Sequence, residues 1–217
     1  MRLSNHVAEF EGPGQLAEAG QTLLANPDLD MVVVRGLSLG FQPILSSRNT
    51  DPKRWDQCDK AYEILPELTE LDAAVQEWWD QKEIGSSIAL RPKVAASPNM
   101  LNTAFHTDSE ISGPLTISLR TDGSCYDRRF YAKRPNECIL DGDKLNFTKS
   151  RALERKAKSL NRSIFKLGAS SVRQARGDGI MFTNSPYPTI HAVDTPQFKT
   201  ETMLLSYRLD IDTHAYI

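Results

Sequence analysis

Apolar residues recur at helical spacing in two stretches of the N-terminal half of the chain. Within Leu16–Leu24 the leucines fall on one face of a short helix, which the turn-forming residues 26–28 end. A longer stripe, Leu68–Trp79, follows Pro66, a residue suited to a first helical position. It predicts a second helix that ends near Gly85. Each helix is amphipathic, so we expect one face of each to pack on the core.

Short stretches of β-branched or alternating residues fill much of the remaining chain. Leu115, Ile117 and Leu119, for example, alternate with polar neighbours, as in a half-buried strand. The predicted strands are Met31–Val34, Ile88–Arg91, Met100–His106, Pro114–Thr121, Arg128–Ala132, Ile164–Leu167, Gly179–Phe182, Thr189–Val193 and Thr202–Ile211. Residues 40–58 have no period and predict a loop. Many short strands separated by turns predict a mainly β protein with N-terminal helices, either a sandwich or a jelly roll.

Length and composition narrow the class of protein. At 217 residues the chain suits one domain with a single core. No apolar run approaches the roughly 18 residues of a membrane helix, and the start has no secretory-signal pattern. The three cysteines, Cys58, Cys125 and Cys138, are too few and too far apart for a disulfide framework or a structural zinc site. We therefore expect a cytoplasmic protein with reduced thiols and no membrane partner.

The net charge of −2 excludes a globally basic nucleic-acid binder, but it conceals two charged segments. Residues 51–83 hold ten acidic and four basic side chains, whereas residues 144–176 hold ten basic and one acidic. Within the second segment, residues 149–162 predict a short basic helix. That helix could bind an anionic partner, or it could be a solvated helix that pairs with the acidic segment of the same chain.

Two of the four histidines lie at places suited to metal binding. His106 ends a predicted strand and precedes Asp108 by two residues, so both side chains would point to the same side of an extended segment. His191 lies 85 residues further on, in another predicted strand. Two histidines and a carboxylate on one face of a metal leave open positions and favour Fe(II). By contrast, His6 and His214 lie near the ends of the chain, and we expect them to be exposed and without a role.

Arg208 lies in the strongly alternating strand Thr202–Ile211. The apolar face of that strand should pack on the helices, which turns Arg208 towards the interior. A buried arginine needs an anion, and its planar fork suits a carboxylate. That carboxylate could belong to a ligand, or to Asp178 or Asp210 of the same chain. Asp178 itself lies in Arg176-Gly177-Asp178, which predicts a tight turn.

With these residues in this order, the chain resembles the Fe(II)- and 2-oxoglutarate-dependent oxygenases over roughly residues 15–211. The resemblance rests on His106-Thr107-Asp108, on the stretch from Gly177-Asp178-Gly179 to His191, and on Arg208. It implies a double-stranded β-helix, or jelly-roll, core with N-terminal helices. The single oxygenase-like domain would span 1–217, with an N-terminal buttress over 1–85 and the jelly roll over 86–217. A basic insert would occupy about 133–163.

The resemblance also implies a role for each of these residues. His106, Asp108 and His191 would bind Fe(II), and Arg208 would pair with the distal carboxylate of 2-oxoglutarate. Asn102 stands where many members of the family carry a residue that helps to hold this co-substrate. Arg208 is followed by Leu209 and Asp210, so the Arg-x-Ser motif of some branches is absent.

The implied reaction uses O₂ to convert 2-oxoglutarate to succinate and CO₂ while a substrate is hydroxylated. We expect a small, possibly anionic substrate, such as an amino acid or a natural-product intermediate. A nucleic-acid or nucleotide hydroxylase or demethylase of the same superfamily is the alternative. A cupin-like metal-binding protein without 2-oxoglutarate chemistry is a further one, since Glu110 lies close to His106.

Overall fold

The structure, a computed structural model, describes residues 2–4, 6–40, 57–82, 88–95, 103–107, 112–120, 127–133, 139–141, 144–159, 170–194 and 202–209. The helices within these ranges are α1 (Leu16–Ala25), α2 (Gln57–Ile64), α3 (Leu68–Asp80) and α4 (Phe147–Ser159). The strands there are β1 (Arg2–Ser4), β2 (Val7–Glu11), β3 (Met31–Arg35), β4 (Ile88–Ala95), β5 (Thr103–His106), β6 (Ser112–Arg120), β7 (Asp127–Lys133), β8 (Leu140–Asp141), β9 (Lys144–Leu145), β10 (Ser170–Gln174), β11 (Gly179–Thr183), β12 (Thr189–Asp194) and β13 (Thr202–Leu209). Among the helices of this described part, none has the length and apolar character needed to cross a membrane.

The strands form two main sheets, and helices pack beside them. The larger sheet has the order β1-β2-β3-β11-β6-β13-β4, and the smaller has the order β10-β7-β12-β5. Strands β8 and β9 pair as a separate hairpin. Among the strand pairs of the described ranges, β2 with β3 is parallel and the others are antiparallel. From β4 onwards the chain passes repeatedly between the sheets: β4, β6, β11 and β13 belong to the larger, whereas β5, β7, β10 and β12 belong to the smaller.

Several predicted elements are confirmed, and others differ in extent. Strand β3 and helices α1 and α3 are present, although α3 begins at Leu68, after Pro66. The predicted loop over 40–58 is wrong at its end, because α2 already begins at Gln57; residues 41–56 lie outside the described part. The elements that were not predicted from the sequence are β1, β2, α2, β8, β9 and β10. The basic helix is present and begins at Phe147, two residues earlier than predicted, and its described part ends at Ser159. Residues 160–162 and the predicted strand 164–167 lie outside the described residues.

Helices α1 and α3 cover one face of the larger sheet. The buried residues of α1 follow the i, i+3, i+4, i+7 pattern of one helical face, namely Leu16, Ala19, Gly20 and Leu23. A Cβ on Gly20 would lie only 2.4 Å from Leu71 Cδ1, so this glycine lets α1 approach α3 closely. Trp79 is buried in the same core, and Trp78 packs at its edge. The tryptophan pair therefore belongs to the core, as its place in the helical stripe predicts.

The two faces of the larger sheet have different neighbours. Leu115, Ile117 and Leu119 of β6 join the helical core, together with Leu205 and Tyr207 of β13. The predicted packing of the apolar face of β13 on the helices is thus confirmed. Side chains of a strand alternate between faces, so Thr116 and Ser118, both buried, lie on the face towards the smaller sheet. A second core cluster spans the sheets: Met31, Val33, Tyr131, Val172, Ile180 and Phe182.

The predicted tight turn before β11 is confirmed, and Asp178 stabilises it. Gly177 adopts a φ of +79°, which favours glycine. The Asp178 carboxylate accepts hydrogen bonds from the Ala175 backbone N–H at 2.8 Å and from Arg35 at 2.5 Å. The described side-chain partner of Asp178 is therefore Arg35 of β3. The side chain of Arg208 lies outside the described part, so its pairing stays a prediction.

Replacing Asp178 by alanine is expected to lower the free energy of unfolding by about 2 kcal/mol, because a buried carboxylate that accepts two hydrogen bonds is lost. Arg35 is partly exposed, so the ion pair itself contributes little of this loss. Urea unfolding followed by circular dichroism measures the change. The exposed Asp80, whose described side-chain bond is to Gln76, gives the matched control Asp80→Ala. Equal losses in the two variants would contradict the role of the turn.

Candidate metal centre

Two predicted metal ligands lie side by side in the smaller sheet. His106 ends β5 and His191 lies in β12, and the antiparallel register sets their Cα atoms opposite each other. Their ring centroids are 4.2 Å apart, with the ring planes tilted by 53°. His191 is only 6% exposed, whereas His106 is half-buried. Two imidazoles at this separation can bind one metal ion at adjacent positions.

The hydrogen bond of His191 determines which ring nitrogen is available. Its Nδ1 lies 3.1 Å from the carbonyl oxygen of Thr189. Because a carbonyl only accepts, Nδ1 must carry the proton, and the lone pair is then on Nε2. Metal-binding histidines commonly donate their other ring N–H to a carbonyl in this way, which fixes the tautomer and the ring orientation. His191 is therefore prepared to bind a metal through Nε2.

Aromatic side chains hold His191 from both sheets. The Phe182 ring of β11 lies 4.4 Å from the His191 ring, and Tyr131 of β7 stacks on it at 6.0 Å with an angle of 19° between the planes. Both aromatic residues are buried in the cluster between the sheets. They restrict the imidazole to one orientation and keep water away from one side of it. Phe182 is not among the residues predicted for the site, although its alternation with Met181 in β11 was an available signal.

The third predicted ligand cannot be placed beside this pair. Asp108 and Asn102 lie outside the described residues, which in this segment are 103–107. Within the described ranges, no group of three His, Cys, Asp or Glu side chains could hold a metal ion. The structure thus brings together two members of the predicted ligand set, and the carboxylate member stays a prediction.

Strand β13 brings the backbone of Arg208 to the same end of the sheets. Its Cα lies opposite Ala89 of β4 and Ser112 of β6. Two residues earlier, Ser206 lies opposite Thr116, and Thr116 in turn lies opposite Phe182, which contacts His191. The backbone of Arg208 therefore lies at the same end of the larger sheet as Phe182, the residue that packs on His191.

A buried polar cluster occupies the other end of the space between the sheets. The fully buried Arg120 donates to the backbone oxygen of Gln174 at 3.5 Å. The Gln174 amide donates to the backbone oxygens of Ser118 at 2.6 Å and Asp178 at 2.9 Å. These bonds join Gln174 of β10, in the smaller sheet, to β6 of the larger sheet and to the turn before β11. The cluster thus has a structural role in holding the two sheets.

A carboxylate bound by two phenols lies on the helical side of β13. Asp72 of α3 accepts hydrogen bonds from Tyr207 of β13 and from Tyr62 of α2. Burial raises the pKa of the Asp72 carboxyl, and the bonds from Tyr207 and Tyr62 oppose this rise. Burial also raises the pKa of the Tyr207 phenol, and the neighbouring Asp72 charge raises it further. The Tyr207 phenol is therefore a protonated donor at neutral pH.

The fold is similar to that of a solved Fe(II)/2-oxoglutarate-dependent dioxygenase. The chain is similar to the Kdo hydroxylase KdoO, a non-heme Fe(II) alphaketoglutarate-dependent dioxygenase, in its complex with alphaketoglutarate and Fe(III). The TM-score is 0.53 at 11% identity, over 94% of this chain and 89% of that one. The cobalt(II) complex of KdoO gives 0.53 at 10% identity, over 94% and 89%. A taurine dioxygenase from Burkholderia xenovorans gives 0.45 at 10% identity, over 97% and 90%.

Comparison at the level of sequence gives no match: neither a protein-family model nor a curated protein matches the chain. At identities near 10% the structural similarity concerns the fold alone. The resemblance seen in the sequence is confirmed at that level.

Proposed function

We propose that this protein is an Fe(II)- and 2-oxoglutarate-dependent oxygenase that hydroxylates a small molecule. The observation that carries the proposal is the His106–His191 pair, with ring centroids 4.2 Å apart on neighbouring strands. Residues far apart in sequence supply one imidazole each, and the His191 tautomer leaves Nε2 available for a metal. Such a pair matches two thirds of the ligand set of non-heme Fe(II) oxygenases.

The strand connections support a double-stranded β-helix core over 86–217. Eight strands, β4 to β7 and β10 to β13, divide equally between the two sheets, and the chain passes between them. The similarity to KdoO agrees with this architecture, and the crystals of KdoO contain Fe(III) with alphaketoglutarate or cobalt(II). By analogy, Fe(II) and 2-oxoglutarate are the cofactor and co-substrate of this chain.

Separate residues of the chain would bind the iron and the co-substrate. His106, His191 and Asp108 would hold Fe(II), while Arg208 would pair with the distal carboxylate of 2-oxoglutarate and Asn102 would assist. When bound, iron would supply the activation of O₂ that couples the conversion of 2-oxoglutarate to hydroxylation. Phe182 and Tyr131 would keep His191 oriented and exclude water from its side of the centre.

The direct test is the addition of Fe(II) and 2-oxoglutarate to the protein without oxygen. We expect a weak visible charge-transfer band that requires both components and that Zn(II) does not give. Admission of air should then yield succinate. A cupin-like metal binder would bind iron but would give neither the band nor succinate, and that result would overturn the proposal.

The basic helix α4 supports an anionic substrate. It packs against β5, the strand that carries His106. Its inner side buries Ser150, Leu153 and Ala157, and its outer side exposes four cationic residues, namely Lys149, Arg151, Arg155 and Lys156. A positive surface beside a site raises the local concentration of anions and speeds their association. A carboxylated, phosphorylated or sulfated small molecule therefore fits this chain best.

Charge reversal on α4 tests the substrate class. Among small molecules screened for stimulation of succinate formation, we expect anions to be the active ones. The variant R155E/K156E should raise their KM several-fold and leave succinate formation without substrate unchanged. The exposed Lys82, two residues beyond the end of α3, provides the control Lys82→Glu. An unchanged KM in the double variant would argue against α4 as part of the substrate surface.

The nucleic-acid alternative makes a different prediction about salt. Several phosphate contacts cause affinity to fall steeply between about 50 and 200 mM salt, whereas a small anion gives a shallow dependence. Fluorescence anisotropy with a labelled single-stranded oligonucleotide measures this slope. A steep slope that R155E/K156E removes would favour the nucleic-acid alternative over a small substrate.

A further inference from the structure

Tyr207, the residue before Arg208, is held from the helical layer. Its phenol donates to one oxygen of the Asp72 carboxylate, and the phenol of Tyr62 donates to the other. Tyr207 is 3% exposed, and Asp72 lies in α3, 135 positions earlier in the chain. A side-chain hydrogen bond thus joins the middle of a helix to β13 immediately before the predicted co-substrate anchor.

The neighbouring strand β6 contacts Tyr207 from the other direction. A Cβ on Gly113 would lie 3.0 Å from the carbonyl carbon of Tyr207 and 3.1 Å from its oxygen, so the two backbones touch here. The register is also irregular at this point, since Ser206 lies opposite Thr116 but Arg208 lies opposite Ser112. Three residues of β6 therefore face one residue of β13. Bulges of this kind redirect the side chains next to them and are frequent beside active sites.

We propose that Tyr207 is a positioning residue for Arg208, fixed by Asp72 on the helical side and by Gly113 on the sheet side. This inference rests on the proposed function, in which Arg208 pairs with the distal carboxylate of 2-oxoglutarate. A two-pronged arginine–carboxylate pair depends on the placement of both partners. Displacement of a binding group by about 1 Å can cost on the order of a hundredfold in rate.

The choice of residues argues for placement rather than stability alone. A phenylalanine at position 207 could fill the same core space without a polar partner. Instead the chain partly buries the Asp72 carboxylate against two phenols, although removal of a carboxylate from water is costly. A hydrogen bond of defined length and direction adds what apolar packing lacks, namely one fixed position of β13 relative to α3.

A pair of matched variants separates positioning from general loss of structure. Tyr207→Phe and Tyr62→Phe each remove one phenol from Asp72, but only the first changes β13. Anaerobic titration with 2-oxoglutarate, followed by the charge-transfer band, should show an about tenfold higher Kd for Tyr207→Phe. The KM for 2-oxoglutarate should rise by the same factor, while kcat at saturating co-substrate and Fe(II) affinity should change less than about twofold. Tyr62→Phe should match the wild type in all four values.

Asp72→Ala provides the second variant, because Asp72 is half-buried and tolerates substitution better than the buried tyrosine. If Tyr207 acts through its bond to Asp72, the Kd of this variant should rise as it does in Tyr207→Phe. An unchanged Kd in Asp72→Ala, or an equal rise in Tyr62→Phe, overturns the positioning role while the proposed function stands. Absence of the band in the wild type overturns the proposed function, and the positioning role with it.

Discussion

Replacement of His106 by alanine is expected to abolish Fe(II) binding and, with it, the formation of succinate from 2-oxoglutarate. Loss of a residue that merely orients a metal ligand costs about 10–100-fold in affinity, so loss of a ligand itself should cost more. His106 is the better probe of the pair because it is half-buried. His191 packs against Phe182 and Tyr131, so alanine there would also leave a cavity.

Iron retained after gel filtration and succinate produced in air together measure this effect. His6→Ala is the matched control, because His6 is exposed and its described side-chain bond is to the backbone of Asp28. We expect that variant to retain both iron and turnover. Near-normal succinate formation by His106→Ala would exclude the centre proposed here, whatever the fold.

Features that depend on neighbours in sequence could be predicted well. In β13, apolar residues alternate with polar ones, and this pattern predicted that Leu205 and Tyr207 face the helical core. In α1, apolar residues recur with a period of 3.6, and this pattern predicted the face that packs on α3. The turn at Gly177 was predicted from the tripeptide Arg176-Gly177-Asp178. In each case the local sequence contains the whole signal, because the pattern reflects which side of one element meets the core.

Features that depend on distant contacts could not be predicted in the same way. Strand β2 carries Glu9 and Glu11 on one side, and its place in the sheet depends on its pairing with β1 and, in parallel, with β3. The bond from Tyr207 to Asp72 joins side chains from β13 and α3, and the close approach of Gly113 to Tyr207 arises from an irregular register. His106 and His191 show both kinds of feature. Their residue type indicated a metal site, but the pairing of β5 with β12 is what brings their ring centroids to 4.2 Å.

Replacement of Arg208 by alanine is expected to raise the KM for 2-oxoglutarate about 10–100-fold and to leave Fe(II) binding intact. Hydrogen bonds to a charged group contribute about 1.5–3 kcal/mol, and each 1.4 kcal/mol is tenfold in affinity. Arg208→Lys keeps the charge but lacks the planar fork, so its KM should lie between those of alanine and the wild type. Steady-state succinate assays give KM, and urea unfolding gives stability. If Arg208 instead forms an internal salt bridge, both variants should lose stability while KM stays constant. That pattern would remove Arg208 from the co-substrate site and leave the histidine pair as the remaining support for the oxygenase.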